Sequence, residues 1–351
     1  MSEFATKKLS LFPRKLEQLT ALRDEQTNGM DTTYPISVEL SLTDACTFKC
    51  GWCSDSDLRN RLRGFMKQIT LDPLLEDLAG GGVRGIVFEG GGEPTLHPLL
   101  GYAMGETHKL GMGVGLITNG VRFNYKDEFD GVEWVRVSLD VSNDTQMDTL
   151  KKQGAFPIVM DNIAEMVRLR GPETTVGISY IVTEQSAEGL EDMVRRLKDI
   201  GVDYVQIKPV VDHPELAFSG GERLKELAKY STENFSVYTQ ALSDNVITGN
   251  GGVPCVANSM TTVISANGNV YFCGRLNTDP DWPALGNVNH ASFNDIWHGE
   301  ERLRQSRIMR QVDECQARCP ECRITKFNQA LAQGLSASDR PVGRVRTPNF
   351  I

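Results

Sequence analysis

Ile36-Ser-Val-Glu-Leu-Ser-Leu-Thr43-Asp-Ala-Cys46-Thr-Phe-Lys-Cys50-Gly-Trp52-Cys53 is the stretch from which the rest of the chain can be read. Its first half alternates, with Ile36, Val38, Leu40 and Leu42 on one side and Ser37, Glu39, Ser41 and Thr43 on the other. Successive strand residues point to opposite faces, so this is a strand with one apolar and one polar face. The second half places Cys46, Cys50 and Cys53 directly after that strand. Three thiolates so spaced can hold an iron–sulfur cluster, but they leave one iron of a cubane without a protein ligand, much as a catalytic zinc keeps one position open. An open iron is a place for chemistry.

The same alternation recurs downstream. Strands are predicted near Ile36–Thr43, Gly85–Glu89, Val114–Thr118, Val135–Asp140, Val176–Thr183 and Tyr204–Pro209. Helical segments intervene, such as Pro73–Ala79, Leu99–Leu110, Ile158–Arg170 and Ser186–Asp199. Strands alternating with helices predict an α/β fold with a parallel sheet, here a partial (βα)6 TIM-like barrel. On the fourth strand Arg136, Ser138 and Asp140 oppose Val135, Val137 and Leu139; on the sixth Gln206 and Lys208 oppose Val205 and Ile207. Packed barrels fill their interior with branched apolar chains, so a polar interior points to a bound polar ligand at the carboxyl ends of the strands. Lys208, Glu39, Glu89 and Arg136 are inward-facing candidates to bind or deprotonate a substrate, and each suits a buried ion-pair network equally well.

After the second strand comes Phe88-Glu89-Gly90-Gly91-Gly92-Glu93-Pro94-Thr95. Consecutive glycines let a backbone approach a ligand closely, and Glu93 brings a carboxylate able to accept from an ammonium group. The spacing of Cys46, Cys50 and Cys53, the aromatic Trp52 before the last of them, and Gly-Gly-Glu-Pro one βα unit later together resemble the radical SAM superfamily. The resemblance implies a 4Fe-4S cluster on Cys46, Cys50 and Cys53 whose open iron chelates S-adenosyl-L-methionine, with Gly91, Gly92 and Glu93 at the methionine amino group. It implies Trp52 near the adenine, with packing under the cluster loop as the alternative. Thr118, Asn119, Ser138, Asp140 and Ser179, at or near the ends of the third to fifth strands, would then serve cosubstrate or substrate. A one-electron donor such as flavodoxin or ferredoxin, reductive cleavage to a 5′-deoxyadenosyl radical, and hydrogen abstraction follow from the same resemblance. His97, His108, His213, His290 and His298 follow no ligand spacing and are assigned structural or solvent roles.

Eight cysteines in a chain without an export signal read as metal ligands rather than disulfides. Five lie beyond residue 250: Cys255, Cys273, Cys315, Cys319 and Cys322. Thr262–Cys273 reads as a hairpin turning at Asn267-Gly268. On spacing alone the set fits zinc too. The placing of Cys255, Gly268 and Cys273 resembles the opening of the SPASM and twitch auxiliary-cluster domains. With no cysteine after Cys322, the resemblance implies the shorter twitch form and one auxiliary 4Fe-4S cluster on Cys255, Cys273, Cys319 and Cys322, leaving Cys315 spare.

The expected plan is an N-terminal extension (1–34), the barrel (35–215), a helical linker (216–250), a small β-hairpin-plus-helix auxiliary-cluster domain (251–330) and a tail (331–351). A net charge of −9 does not suggest a nucleic-acid partner. No apolar run approaches the roughly 18 residues of a membrane span, and the N-terminus lacks a secretory stretch, so the chain is expected to be cytoplasmic with no membrane contact. The polar barrel and an N-terminal extension too short for the family's leader-recognition domain favour a small polar metabolite as substrate, of sugar, aminoglycoside or nucleoside type. Oxidation, epimerisation or elimination would follow. The alternative is modification of a ribosomal peptide or protein side chain. A reading from another class is a non-catalytic zinc or iron–sulfur protein.

Overall fold

Eight neighbouring strands pair in parallel in the computed structural model, which describes residues 6–24, 31–123, 131–210, 213–239, 252–319, 324–339, 341 and 347–350. They are β1 (Ser37–Leu40), β2 (Gly85–Phe88), β3 (Gly113–Thr118), β4 (Val132–Ser138), β5 (Thr175–Val182), β6 (Tyr204–Pro209), β7 (Ser236–Tyr238) and β8 (Thr261–Ile264). With β9 (Asn269–Tyr271) and β10 (Gly286–Asn287) they form one open sheet in the order β10-β9-β8-β1-β2-β3-β4-β5-β6-β7. The six central strands are those the alternation predicts. Of the two flanking parallel strands, β8 is an arm of the expected hairpin, but its place beside β1 is not expected, and β7 is not expected at all. β7 lies in the stretch expected to be a helical linker, and β8, the first arm of the hairpin, pairs with β1 at Ser37↔Thr261 through Leu40↔Ile264. The C-terminal unit is thereby hydrogen-bonded to the strand that leads into the cysteine loop. Neither pairing is visible to a reading of local periodicity, because short strands gain their stability from neighbours distant in sequence.

Side chains divide as the alternation requires. Val38, Leu40, Ile86, Phe88, Val135 and Val137 are fully buried on the helix side. Burial of Thr70, Leu71, Leu74, Leu75 and Leu78 lets the helix Gln68–Gly80 run through Pro73, although that residue forfeits a helical hydrogen bond; the expected start at Pro73 is therefore about a turn and a half late. On the inner side, strand register aligns Glu39, Val87, Gly115 and Trp134. One step toward the carboxyl ends lie Ile117, Arg136, Gly177 and Tyr204, and one step further Ser138, Ser179, Gln206 and Tyr238. Gly177 has to be glycine: a Cβ there would stand 2.0 Å from the Tyr204 ring.

The inner face is polar only in its upper part. At the amino ends of the strands Val87 and Trp134 form an apolar floor with Phe350, whose ring meets Trp134 edge-on at 5.4 Å. Asn349 donates to Glu133 and accepts from Arg84, and Lys8 donates to the Thr347 carbonyl at 2.9 Å. The C-terminal residues thus stopper the barrel. Phe350→Ala is expected to destabilise the fold by about 3 kcal/mol, as buried Phe truncations do, measured by urea unfolding. A cost below about 0.5 kcal/mol, that of a surface change, would mean that the segment does not seat on the barrel.

The N-terminal helix Pro13–Arg23 packs its buried Leu16, Leu19 and Leu22 against the chain's other end. Lys15 pairs with Asp31 at 2.6 Å and donates to the Ser259 carbonyl, while Arg302 lies 3.9 Å from the same Asp31. Among the described residues no helix is long and apolar enough to cross a membrane.

Candidate active site

The cysteine loop leaves the carboxyl end of β1 and ends at the short helix Ser56–Leu62. Its turns are held locally: Cys53 N–H donates to the Cys50 carbonyl at 3.2 Å and Phe48 N–H to Cys46 Sγ at 3.5 Å. Cys46, Cys50 and Cys53 are all half-buried and line one open cavity of about 1250 Å³. Phe65 forms part of its wall, and Arg275, Asp279 and Arg318 reach it from the C-terminal unit. Burial pushes the Cys50 thiol up to about 11, with Lys151 pulling the other way.

Lys151 is a functional residue that no sequence motif announced. Its ammonium is buried and donates to the Ser138 carbonyl at 2.6 Å, the Leu139 carbonyl at 3.1 Å and Asp140 Oδ2 at 3.0 Å. It also stands 5.0 Å from the centre of the Phe48 ring inside the cysteine loop. Burial opposes its charge, yet Asp140 and the Cys50 sulfur hold its pKa above the ordinary value. Asp140 accepts from Ile181 N–H through its other oxygen and adopts φ +59°. Both Asp140 oxygens are engaged in joining the ends of β4 and β5 to the cysteine loop.

The glycine motif docks on that loop from the other side. Gly92 N–H donates to the Thr43 carbonyl at 2.9 Å and Glu93 N–H to the Ala45 carbonyl at 2.7 Å. A Cβ on Gly92 would stand 2.0 Å from the Ala45 oxygen, so the approach demands glycine. Glu93 is buried and accepts from Thr95 N–H and Oγ1, from Thr118 Oγ1 at 2.6 Å and from Asn119 N–H at 2.7 Å. Burial raises its pKa while these donors work against the rise. In the protein itself Glu93 thus ties the glycine loop to the end of β3, and Gly91 packs against Asp44 and Ser41.

Ser138 and Ser179 share one register step of the inner face, with Lys208 one step above, beside Ile181. Glu39 and Glu89 are half-buried on β1 and just after β2, and the Trp52 indole is buried. His97 is buried too, accepts from Leu99 N–H and stacks on Phe65 with ring centres 4.1 Å apart, whereas His213 reaches the cavity wall. Asp44 Oδ1, Asn119 Nδ2, Arg136 Nε and Ser265 Oγ are buried without a hydrogen-bond partner. Orphaned buried polar atoms are rare in proteins. Asp44, Asn119 and Ser265, each just past the carboxyl end of a strand, fit a bound polar cosubstrate.

In the C-terminal unit Cys255, Cys273, Cys315 and Cys319 are all buried. Cys315 and Cys319 lie one helical turn apart, with Cys319 N–H donating to the Cys315 carbonyl at 2.9 Å, so both belong to the same helix end. Cys322 lies outside the described residues. Buried thiols suit thiolate ligation of an iron–sulfur cluster. Among the described residues no three Cys, His, Asp or Glu side chains sit close enough to share a single ion; a cubane spaces its thiolates more widely, because each meets a different iron.

Comparison with known proteins bears on both cysteine sets. The radical SAM superfamily matches residues 40–197, and the SPASM iron–sulfur cluster-binding domain matches residues 255–323. The chain is 26% identical over 173 residues to the tungsten-containing aldehyde ferredoxin oxidoreductase cofactor-modifying protein of Pyrococcus furiosus, a match spanning 47% of this chain and about half (48%) of that one. It is 21% identical to the PqqA peptide cyclase of Gluconobacter oxydans, over 75% of this chain and 76% of that protein. With mycofactocin maturase MftC of Mycobacterium ulcerans it shares 25% identity over 86% and 83% of the two chains. Among solved structures, Streptococcus suis SuiB bound to its precursor peptide SuiA shares the fold at TM-score 0.63 and 15% identity, covering 92% of this chain and 78% of SuiB.

Proposed function

Since the chain belongs to the radical SAM superfamily and is an enzyme with a SPASM-type auxiliary iron–sulfur domain, we propose that its substrate is a peptide, modified at a side chain by hydrogen abstraction. When bound, the cluster and S-adenosylmethionine supply a 5′-deoxyadenosyl radical able to take hydrogen from an unactivated carbon. The chain's own part is to bind, orient and shield. Thr43 and Ala45 anchor the glycine loop, Lys151 and Asp140 brace the cysteine loop, and the Val87–Trp134–Phe350 floor excludes water from below.

The observation that carries the peptide reading is similarity to the PqqA peptide cyclase of Gluconobacter oxydans, which spans three quarters of both chains. The cavity over the cysteine loop, about 1250 Å³ and open to solvent, has to take the cluster and S-adenosylmethionine as well as the substrate. Its walls mix charged side chains with the exposed Phe65 ring, a surface suited to an extended peptide segment. The small polar metabolite expected from the polar barrel, the single auxiliary cluster and the short N-terminal extension is the alternative reading.

Anaerobic turnover of the reconstituted enzyme tests this. The peptide encoded by the short reading frame nearest its gene is expected to stimulate 5′-deoxyadenosine formation and to change mass by a loss of hydrogens. Stimulation confined to a panel of aminosugars and nucleosides would sink the peptide reading.

A further inference from the structure

Arg136 sits at the centre of β4, one register step below Ser138 and Ser179. Val135 and Val137 on either side of it are buried on the helix face, so its guanidinium is on the inner one. It lies 5.7 Å above the Trp134 ring, and Tyr204 of β6 approaches it across Gly177 of β5. Its Nε is buried with no partner. Among the described residues no ion pair to it is found, and the inward Glu39 and Glu89 have partners of their own. A guanidinium held inside a barrel without a counter-charge is costly unless something anionic joins it.

We propose that Arg136 is a carboxylate-binding residue on the inner face of the barrel. The planar fork of donors on a guanidinium matches a carboxylate in bidentate fashion. One cation balances one negative charge, whereas a phosphate dianion calls for more, and Lys208 stands two register steps above with partners of its own. The Trp134 and Ile117 surfaces beside it suit the short apolar stem that carries such a group. That the carboxylate belongs to a peptide, as an acidic side chain or a chain terminus, rests on the reading above; the Arg136 site does not.

Anaerobic titration calorimetry on the reconstituted enzyme decides between the possibilities. The probes are N-acetyl-glutamate N-methylamide, its glutamine counterpart, N-acetyl-alanine, succinate and inorganic phosphate. At least one carboxylate is expected to bind tenfold or more tighter than the glutamine amide. That preference should vanish in Arg136→Gln and survive in part in Arg136→Lys, with iron content unchanged in both variants as evidence of folding. Tighter binding of the capped glutamate identifies a side-chain carboxylate, and of N-acetyl-alanine a terminal one. Arg136-dependent binding of succinate alone would keep the site and overturn the peptide reading. A preference for phosphate, no preference for carboxylates, or one that persists in Arg136→Gln would overturn the proposal.

Discussion

Replacing Cys46, Cys50 and Cys53 together by Ala is expected to abolish 5′-deoxyadenosine formation and to lower iron from about eight to about four atoms per chain, the content of one four-iron cluster. Asp44, two residues before Cys46, already accepts from the Gly64 amide, and its second oxygen is buried beside Gly91. The remaining iron would report the C-terminal cysteines. A converse set, with Cys255, Cys273 and Cys319 replaced, should keep the cysteine-loop iron. These three are buried in the core, so that set also needs circular dichroism to show that the fold survives. A triple cysteine-loop variant that keeps its full iron and still forms 5′-deoxyadenosine would exclude this loop as the catalytic centre.

Lys151→Met carries the largest expected cost to folding. The substitution leaves Asp140 buried without its cation and strips the Ser138 and Leu139 carbonyls of a donor. Breaking a buried pair by removing one partner costs about 3–5 kcal/mol, because the remaining charge is uncompensated. The double variant Lys151→Met, Asp140→Asn leaves no buried charge behind, and asparagine tolerates the left-handed backbone that Asp140 adopts. It should therefore lose clearly less than the single variant in urea unfolding. Equal losses would show that packing, not charge pairing, is what Lys151 supplies. Because its ammonium rests on the Phe48 ring, the single variant should also load less iron at the cysteine loop.

The central strands were legible because each carries its own alternation, and burial in the fold follows that alternation on β6 and from Val135 on in β4. The glycine motif was legible in position but not in role. Three glycines before Glu93 announce a close approach, and the nearest thing approached is the backbone of Thr43 and Ala45. Lys151 was illegible: one of two adjacent lysines after an ordinary helix has no period or motif, and only the fold brings it under Ser138 and against Phe48. The tail was illegible too, since Phe350 finds Trp134 across more than two hundred residues of chain.

By itself, then, the amino-acid order determined what depends on neighbours in the chain: the reach of three thiolates within one loop, the two faces of each strand, the Asn267-Gly268 hairpin turn that precedes Cys273. Tertiary structure alone decided what depends on register between distant segments. It set β8 beside β1, stoppered the barrel with its own C-terminus, and left Arg136 without a counter-charge on the inner face. Covalent spacing limits where a side chain can go, but only packing decides which charge is paired and which is left to meet a ligand.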